Sequence, residues 1–179
     1  MPLPPKYAWL PKVDGLPLMV QQALKLYGVH EGVGAADDPT ILAWAAEVGL
    51  EHQYTADSIP WCGLFMALVA HRAEKPVPAD PLWALNWGNF GVPAGQPALG
   101  DVLVFVRPGG GHVGLYIGED TGPTAAYHVL GGNESDQVMI TRIDKHRLHA
   151  ARRPAYHLAP AGVKPHILAA SGALSTNEG

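Results

Sequence analysis

Cysteine is the scarcest functional residue in this chain: one occurs, Cys62. A single thiol excludes an internal disulfide framework and an all-cysteine metal site, and it fits either a reducing compartment or a cysteine kept for chemistry. Basic residues are few. The 12 lysines and arginines are scattered, only Arg152 and Arg153 are adjacent, and the net charge is -4, so there is no basic surface for nucleic acid. Long apolar runs are missing too. Nothing approaches the roughly 20 residues of a membrane span, and Met1 to Leu10 has no apolar core of signal-peptide length. The expectation is synthesis in the cytoplasm without a signal peptide and no stable membrane insertion.

What is present describes one domain. The 179 residues are 47% hydrophobic, enough to bury a core, and the 21 glycines and 17 prolines imply many turns and short elements. Met1 to Gly15 reads as an extended, proline-punctuated arm that packs Tyr7, Trp9 and Leu10 against the rest. Leu18, Met19, Ala23, Leu24 and Leu26 recur at helical spacing, giving a first helix over Leu16 to Tyr27 that Gly28 ends. After a flexible loop over Glu31 to Ala36, Asp38 caps a second helix that starts at Pro39 and stops at Gly49. A third helix is expected from Pro60 to Ala73, with Asp57 and Ser58 as N-cap residues and Pro60 in the first turn.

The second half has a different period. A short helix around Trp83, Leu85 and Trp87 and a loop from Phe90 to Pro97 lead into strands at Asp101 to Arg107 and Val113 to Ile117. These are joined as a hairpin by Pro108-Gly109-Gly110-Gly111. Further strands are expected at Ala125 to Leu130, Gln137 to Ile143 and, as an edge, Ala150 to Tyr156. Helices first and antiparallel strands second argue an α+β fold, with N-terminal helices packed on a C-terminal meander over residues 1–158. Residues 159–179, rich in Ala, Gly, Pro, Ser and Thr, read as a loosely held tail.

Cys62 draws attention by its place. A thiol in the first turn of a helix meets the positive end of the helix dipole and free backbone N–H groups, which favour the thiolate. The dipole is worth about 0.3–1 kcal/mol, less than one pKa unit's worth at ~1.4 kcal/mol, so a neutral-pH nucleophile also needs a cation, most often histidine. Set beside Trp61, Leu64 and Phe65, the same cysteine also fits the description of a small buried hydrophobe. Of nine histidines, His112 is distinctive: it follows three glycines and opens a strand, a position that presents an imidazole at the end of a sheet. A thiol and an imidazole within hydrogen-bond reach form an ion pair that attacks carbonyls and then protonates the leaving amine. Asn133, after Gly131 and Gly132 one hairpin later, is the candidate third member that orients the ring, with His128 as its competitor.

Pro60-Trp61-Cys62-Gly63, Leu99-Gly100-Asp101-Val102-Leu103-Val104-Phe105, Gly111-His112-Val113-Gly114 and Leu130-Gly131-Gly132-Asn133 resemble, in order, the successive motifs of papain-like cell-wall hydrolases, the CHAP and NlpC cysteine peptidases of bacteria and phages. The resemblance covers Leu16 to Pro154. It implies a papain-like α+β core, cleavage of an amide in or beside the peptidoglycan stem peptide, no required metal or other cofactor, and a monomer whose partner is peptidoglycan. By position Cys62 matches the nucleophile, His112 the base and acid, and Asn133 the polar third member. The endopeptidase bond and the muramoyl-L-alanine amidase bond are both open to this machinery. A phage endolysin released through a holin is the leading expectation, with a secretion-delivered antibacterial toxin or a non-catalytic envelope-binding module as alternatives. In two places the chain departs from the family pattern: Gly63 stands where many relatives have serine, and Gly131 near where some have a catalytic glutamate.

Other residues can be assigned around this centre. The Cys62 backbone N–H, with a side chain from Tyr54 to Ser58, can serve the oxyanion. Trp61, Trp83 and Trp87 are candidates to wall a substrate groove, and Asp57 is a candidate rim carboxylate for cationic stem-peptide groups. His146 and His149 lack ligand-spaced partners and Asp37-Asp38 lacks a calcium-loop pattern, so no metal is expected.

Overall fold

The computed structural model of the protein describes residues 1–32, 37–170 and 172–176. Three α-helices, α1 (Leu18–Lys25), α2 (Pro39–Glu47) and α3 (Cys62–Arg72), precede a six-stranded antiparallel sheet. The strands are β1 (Val92–Pro93), β2 (Val102–Arg107), β3 (Gly110–Glu119), β4 (Ala126–Gly131), β5 (Met139–Asp144) and β6 (Leu148–Arg153). The order across the sheet is β1-β6-β2-β3-β4-β5. Helices first, strands second is the expected α+β arrangement.

Local chemistry explains where the elements start and stop. Asp38 caps α2 as expected, its Oδ1 accepting from Thr40 N–H at 2.7 Å and Ile41 N–H at 3.3 Å. Gly28 and Gly49 follow α1 and α2 with φ of 87° and 71°, the left-handed backbone that glycine adopts freely. α3 differs from expectation. It begins at Cys62 with Trp61 as N-cap and no side-chain cap bond, because Asp57 and Ser58 belong to the preceding turn. From Cys62 to Ala70 every residue of α3 is buried, so this helix is apolar all round and sits at the centre of the molecule.

The hairpin turn is tighter than three glycines suggest. Arg107 pairs with Gly110, leaving Pro108-Gly109 as a two-residue turn with Gly109 at φ 83°, and β3 therefore runs through His112 rather than starting after it. Strands β2 to β5 form the expected meander. Strand β6 is not an edge: it returns to pair with β2 on one side and β1 on the other, and Pro154 lies just beyond it. Leu64, Phe65, Val104, Val113, Leu115 and Leu130 belong to the main core between helices and sheet. A smaller cluster of Leu103, Phe105, Tyr116, Tyr127, Val129 and Ile143 forms a second core.

Both chain ends depart from expectation. The N-terminal arm forms two short 3-10 turns, Pro5–Tyr7 and Leu10–Lys12, with Tyr7 and Leu10 buried. The segment after residue 158 is tied down by backbone: Leu99 N–H donates to Lys164 O, Glu119 N–H to His166 O, and Leu168 N–H to Glu119 O, while Trp9 stacks on His166. Alternating polarity is absent there, so the segment gave no strand signal, and its attachment runs through main-chain atoms that composition does not report. Residues 33–36 of the expected loop, and 171 and 177–179 of the tail, lie outside the described residues.

Candidate active site

The first turn of α3 sets Cys62, 3% exposed, at the bottom of a pocket of about 390 Å³. Only Trp61 precedes it in the helix, and Trp61 offers no side chain to the helix start; Phe65 N–H donates to Trp61 O. The N–H groups of the first turn therefore remain unused by the helix. Gly63 has a local packing reason to be glycine. A Cβ there would stand 2.3 Å from Pro81 O and 2.7 Å from Leu82 O, so the bare glycine lets the 81–82 backbone lie directly on the helix start. That loop carries Trp83 to the pocket wall.

β3 delivers His112 to the same place. The ring is fully buried, and its Nε2 lies 2.8 Å from Oε1 of Glu134, itself fully buried. The Cys62 side chain meets the ring as well. Burial alone would lower the imidazole's pKa, but the Glu134 carboxylate and the Cys62 sulfur outweigh it and raise the pKa well above the usual range. Because a carboxylate only accepts, the proton facing Glu134 sits on Nε2. Neither ring nitrogen makes a well-aligned hydrogen bond with these neighbours.

Glu134, rather than Asn133, is the group that stands against the ring. Asn133 is buried in the turn after β4 with φ 59°, and its Oδ1 has no hydrogen-bond partner among the described residues. Its role is the turn: asparagine tolerates left-handed backbone, and Asn133, Ser135 and Asp136 all adopt it. The turn is closed by Glu134 N–H donating to Gln137 O, which fixes the carboxylate's attachment point. Gly131 makes room for the pair, since a Cβ at that position would lie 3.0 Å from His112 Nε2 and 3.1 Å from Glu134 Oε1. His128, the competing third member, is engaged elsewhere, with Tyr7 Oη 2.6 Å from Nδ1 and Asp120 Oδ2 3.0 Å from Nε2.

The groove residues also sort differently from expectation. Trp61 and Trp87 are fully buried: Trp61 packs edge-on to Trp44, and the Trp87 indole donates to Pro81 O. Neither can meet a substrate. Trp83 is 54% exposed and lines the Cys62 pocket. Asp57 is not at the rim. Its carboxylate accepts from Gly32 N–H at 2.8 Å and Asp38 N–H at 2.7 Å, and although burial opposes ionisation those bonds hold its pKa below the ordinary value. Tyr54 is buried with its hydroxyl donating to Asp57 O. No family model matches the chain, and no curated protein matches it. Among the described residues, no group of three or more His, Cys, Asp or Glu side chains is placed to hold a metal ion, and no helix is long and apolar enough to cross a membrane.

Chemically, the arrangement joins a thiol, an imidazole biased toward its cation and a carboxylate in one line of contact. Only the sulfur faces open space. Such a set has the components that nucleophilic acyl transfer requires.

Proposed function

We propose that the protein is a papain-like cysteine amidohydrolase of peptidoglycan, attacking a stem-peptide amide through Cys62 with His112 and Glu134. The observation that carries the reading is the buried contact of His112 with both Cys62 and Glu134 at the start of α3. The substrate class rests on the ordered resemblance of the segments around Cys62, Asp101, His112 and Gly132 to the cell-wall hydrolases.

In this reading the Cys62 thiolate attacks the amide carbonyl carbon, and the carbonyl oxygen becomes an oxyanion accepted by first-turn N–H groups of α3. With Nε2–H held by Glu134, Nδ1 is the nitrogen that gives its proton to the leaving amine as the C–N bond breaks. A thioester on Cys62 remains. Water then attacks it, giving a proton to His112 as the C–S bond breaks, and the carboxylic acid leaves with the thiolate regenerated. Endolysin and delivered toxin use this site alike and differ in how they reach the wall.

Sacculi incubated with wild type and with Cys62→Ala test the reading. Wild type should clear the suspension and release muropeptides whose masses identify the bond, while the variant should lose essentially all turnover. Equal clearing by both would remove cysteine catalysis. Intact sacculi with wild type would remove the substrate class and leave a protein-directed peptidase or a non-catalytic binding module.

A further inference from the structure

Among the described residues, Arg107 is the one cation lining the pocket that opens onto Cys62, and Asp80 is the one anion. The arginine ends β2, half-buried, and its Nε donates at 3.3 Å to the carbonyl of Gly111, the residue directly before His112. Its guanidinium is therefore anchored to the strand that carries the catalytic imidazole. Three other arginines each engage a carboxylate: Arg72 with Glu47, Arg142 with Asp120, and Arg153 with Asp101. Among the described residues Arg107 engages no carboxylate, and neither Nη group has a protein partner there. Asp80 does not pair with it. Asp144, which shares a second hollow with it, already accepts from the His146 N–H and lies 3.0 Å from His146 Nδ1. A tethered planar fork whose two Nη groups are free, lining the same pocket as a nucleophile, is suited to a carboxylate, which that end edge grips bidentately.

We propose that Arg107 selects the scissile amide by binding a free carboxylate on the residue that donates the acyl group. This rests on the hydrolase reading and deepens it. Of the two candidate bonds, the one between D-glutamate and the diamino acid has a free α-carboxylate on its acyl side, because the glutamate is linked through its γ-carbonyl. The bond between the lactyl group of muramic acid and L-alanine has none on either flanking residue. The pocket therefore favours endopeptidase cleavage after D-glutamate over amidase cleavage. Trp83 and Leu82 supply the apolar wall beside the charged contact.

The test compares two tripeptides, L-Ala-γ-D-Glu-diaminopimelate and the same peptide with the glutamate α-carboxylate converted to an amide, on wild type and Arg107→Met. Wild type should prefer the free acid by roughly 10- to 100-fold in kcat/KM, the worth of one charge-assisted contact. Arg107→Met should lose that preference, the loss falling on KM for the free-acid peptide rather than on kcat. Unaltered preference in the variant, or equal loss on both peptides, overturns the inference while leaving the hydrolase intact, as does wild-type release of L-alanine from muramic acid alone. Wild type that cuts neither peptide nor sacculi, though its thiol alkylates normally, brings down the hydrolase reading itself and the selectivity with it.

Discussion

The contact between His112 and Glu134 determines what the imidazole can do at neutral pH. A fully buried imidazole would ordinarily be neutral, yet the neighbouring carboxylate and sulfur hold its proton to higher pH. Activity that needs the imidazolium is therefore lost on the alkaline side, as pH rises through the raised value. Glu134→Gln removes the charge but keeps the shape, so the alkaline limb of kcat/KM should move to lower pH and the plateau should drop roughly 10²- to 10⁴-fold, the usual worth of a positioned acid–base group. A pH profile of stem-peptide hydrolysis measures both. An unchanged alkaline limb would show that Glu134 does not act on the ring. The same substitution at Asn133 should leave that limb in place, since Asn133 serves the left-handed turn.

At the scale of elements, the helix α3 and the loop over its first turn set the shape of the site, and there Gly63 is decisive. Gly63→Ser should destabilise the fold by about 1–3 kcal/mol, because the new Cβ meets backbone carbonyl oxygens that cannot swing aside. Denaturant midpoints compare the two proteins, and a variant as stable as wild type would mean that the 81–82 loop moves freely off the helix. Elements of this kind were legible in the sequence wherever one local rule decided them. Asp38 before Pro39, the apolar run after Cys62 and the β-branched and aromatic runs of β2 and β3 each announce themselves, and so did Cys62 and His112 as a pair. Glu134 did not. Its place depends on a turn in which Asn133, Ser135 and Asp136 are all left-handed, which folds a solvent-type motif, Asn-Glu-Ser-Asp, back over the ring, and no spacing rule reports that reversal. Trp61 and Trp87 misled for a related reason. An indole reads alike at a groove and in a core until the partners of its N–H are known.

For the whole molecule, two fully buried histidines divide the pH axis between them. His128 sits at the hub that fastens the N-terminal arm and the C-terminal segment to the sheet: Tyr7 contacts its Nδ1, Asp120 its Nε2, and Arg142 links Asp120 to the Gly172 carbonyl. Burial keeps His128 below the ordinary imidazole value in spite of Asp120, which is itself held down at about 2, against its own burial, by Arg142, the Ala126 N–H and His128. The unfolded chain therefore takes up a proton that folded His128 refuses, and stability falls as pH drops below about 6.5. His112 has the opposite sign. Its pKa is raised on folding, so its contribution is complete below about 6.5 and is lost as pH rises from there through the folded value. The two effects together place maximum stability near the ordinary imidazole pKa, with His112 behind the alkaline decline and His128, joined by His166, which burial also holds below its ordinary value, behind the acid one. Denaturant unfolding measured from pH 5 to 9 should show this arch. His128→Gln should make its acid limb shallower, leaving the share of His166, and His112→Gln should act on its alkaline limb alone, each variant being less stable at the maximum. An arch that loses both limbs in either variant would mean that the hub and the catalytic pair titrate as one unit rather than as two.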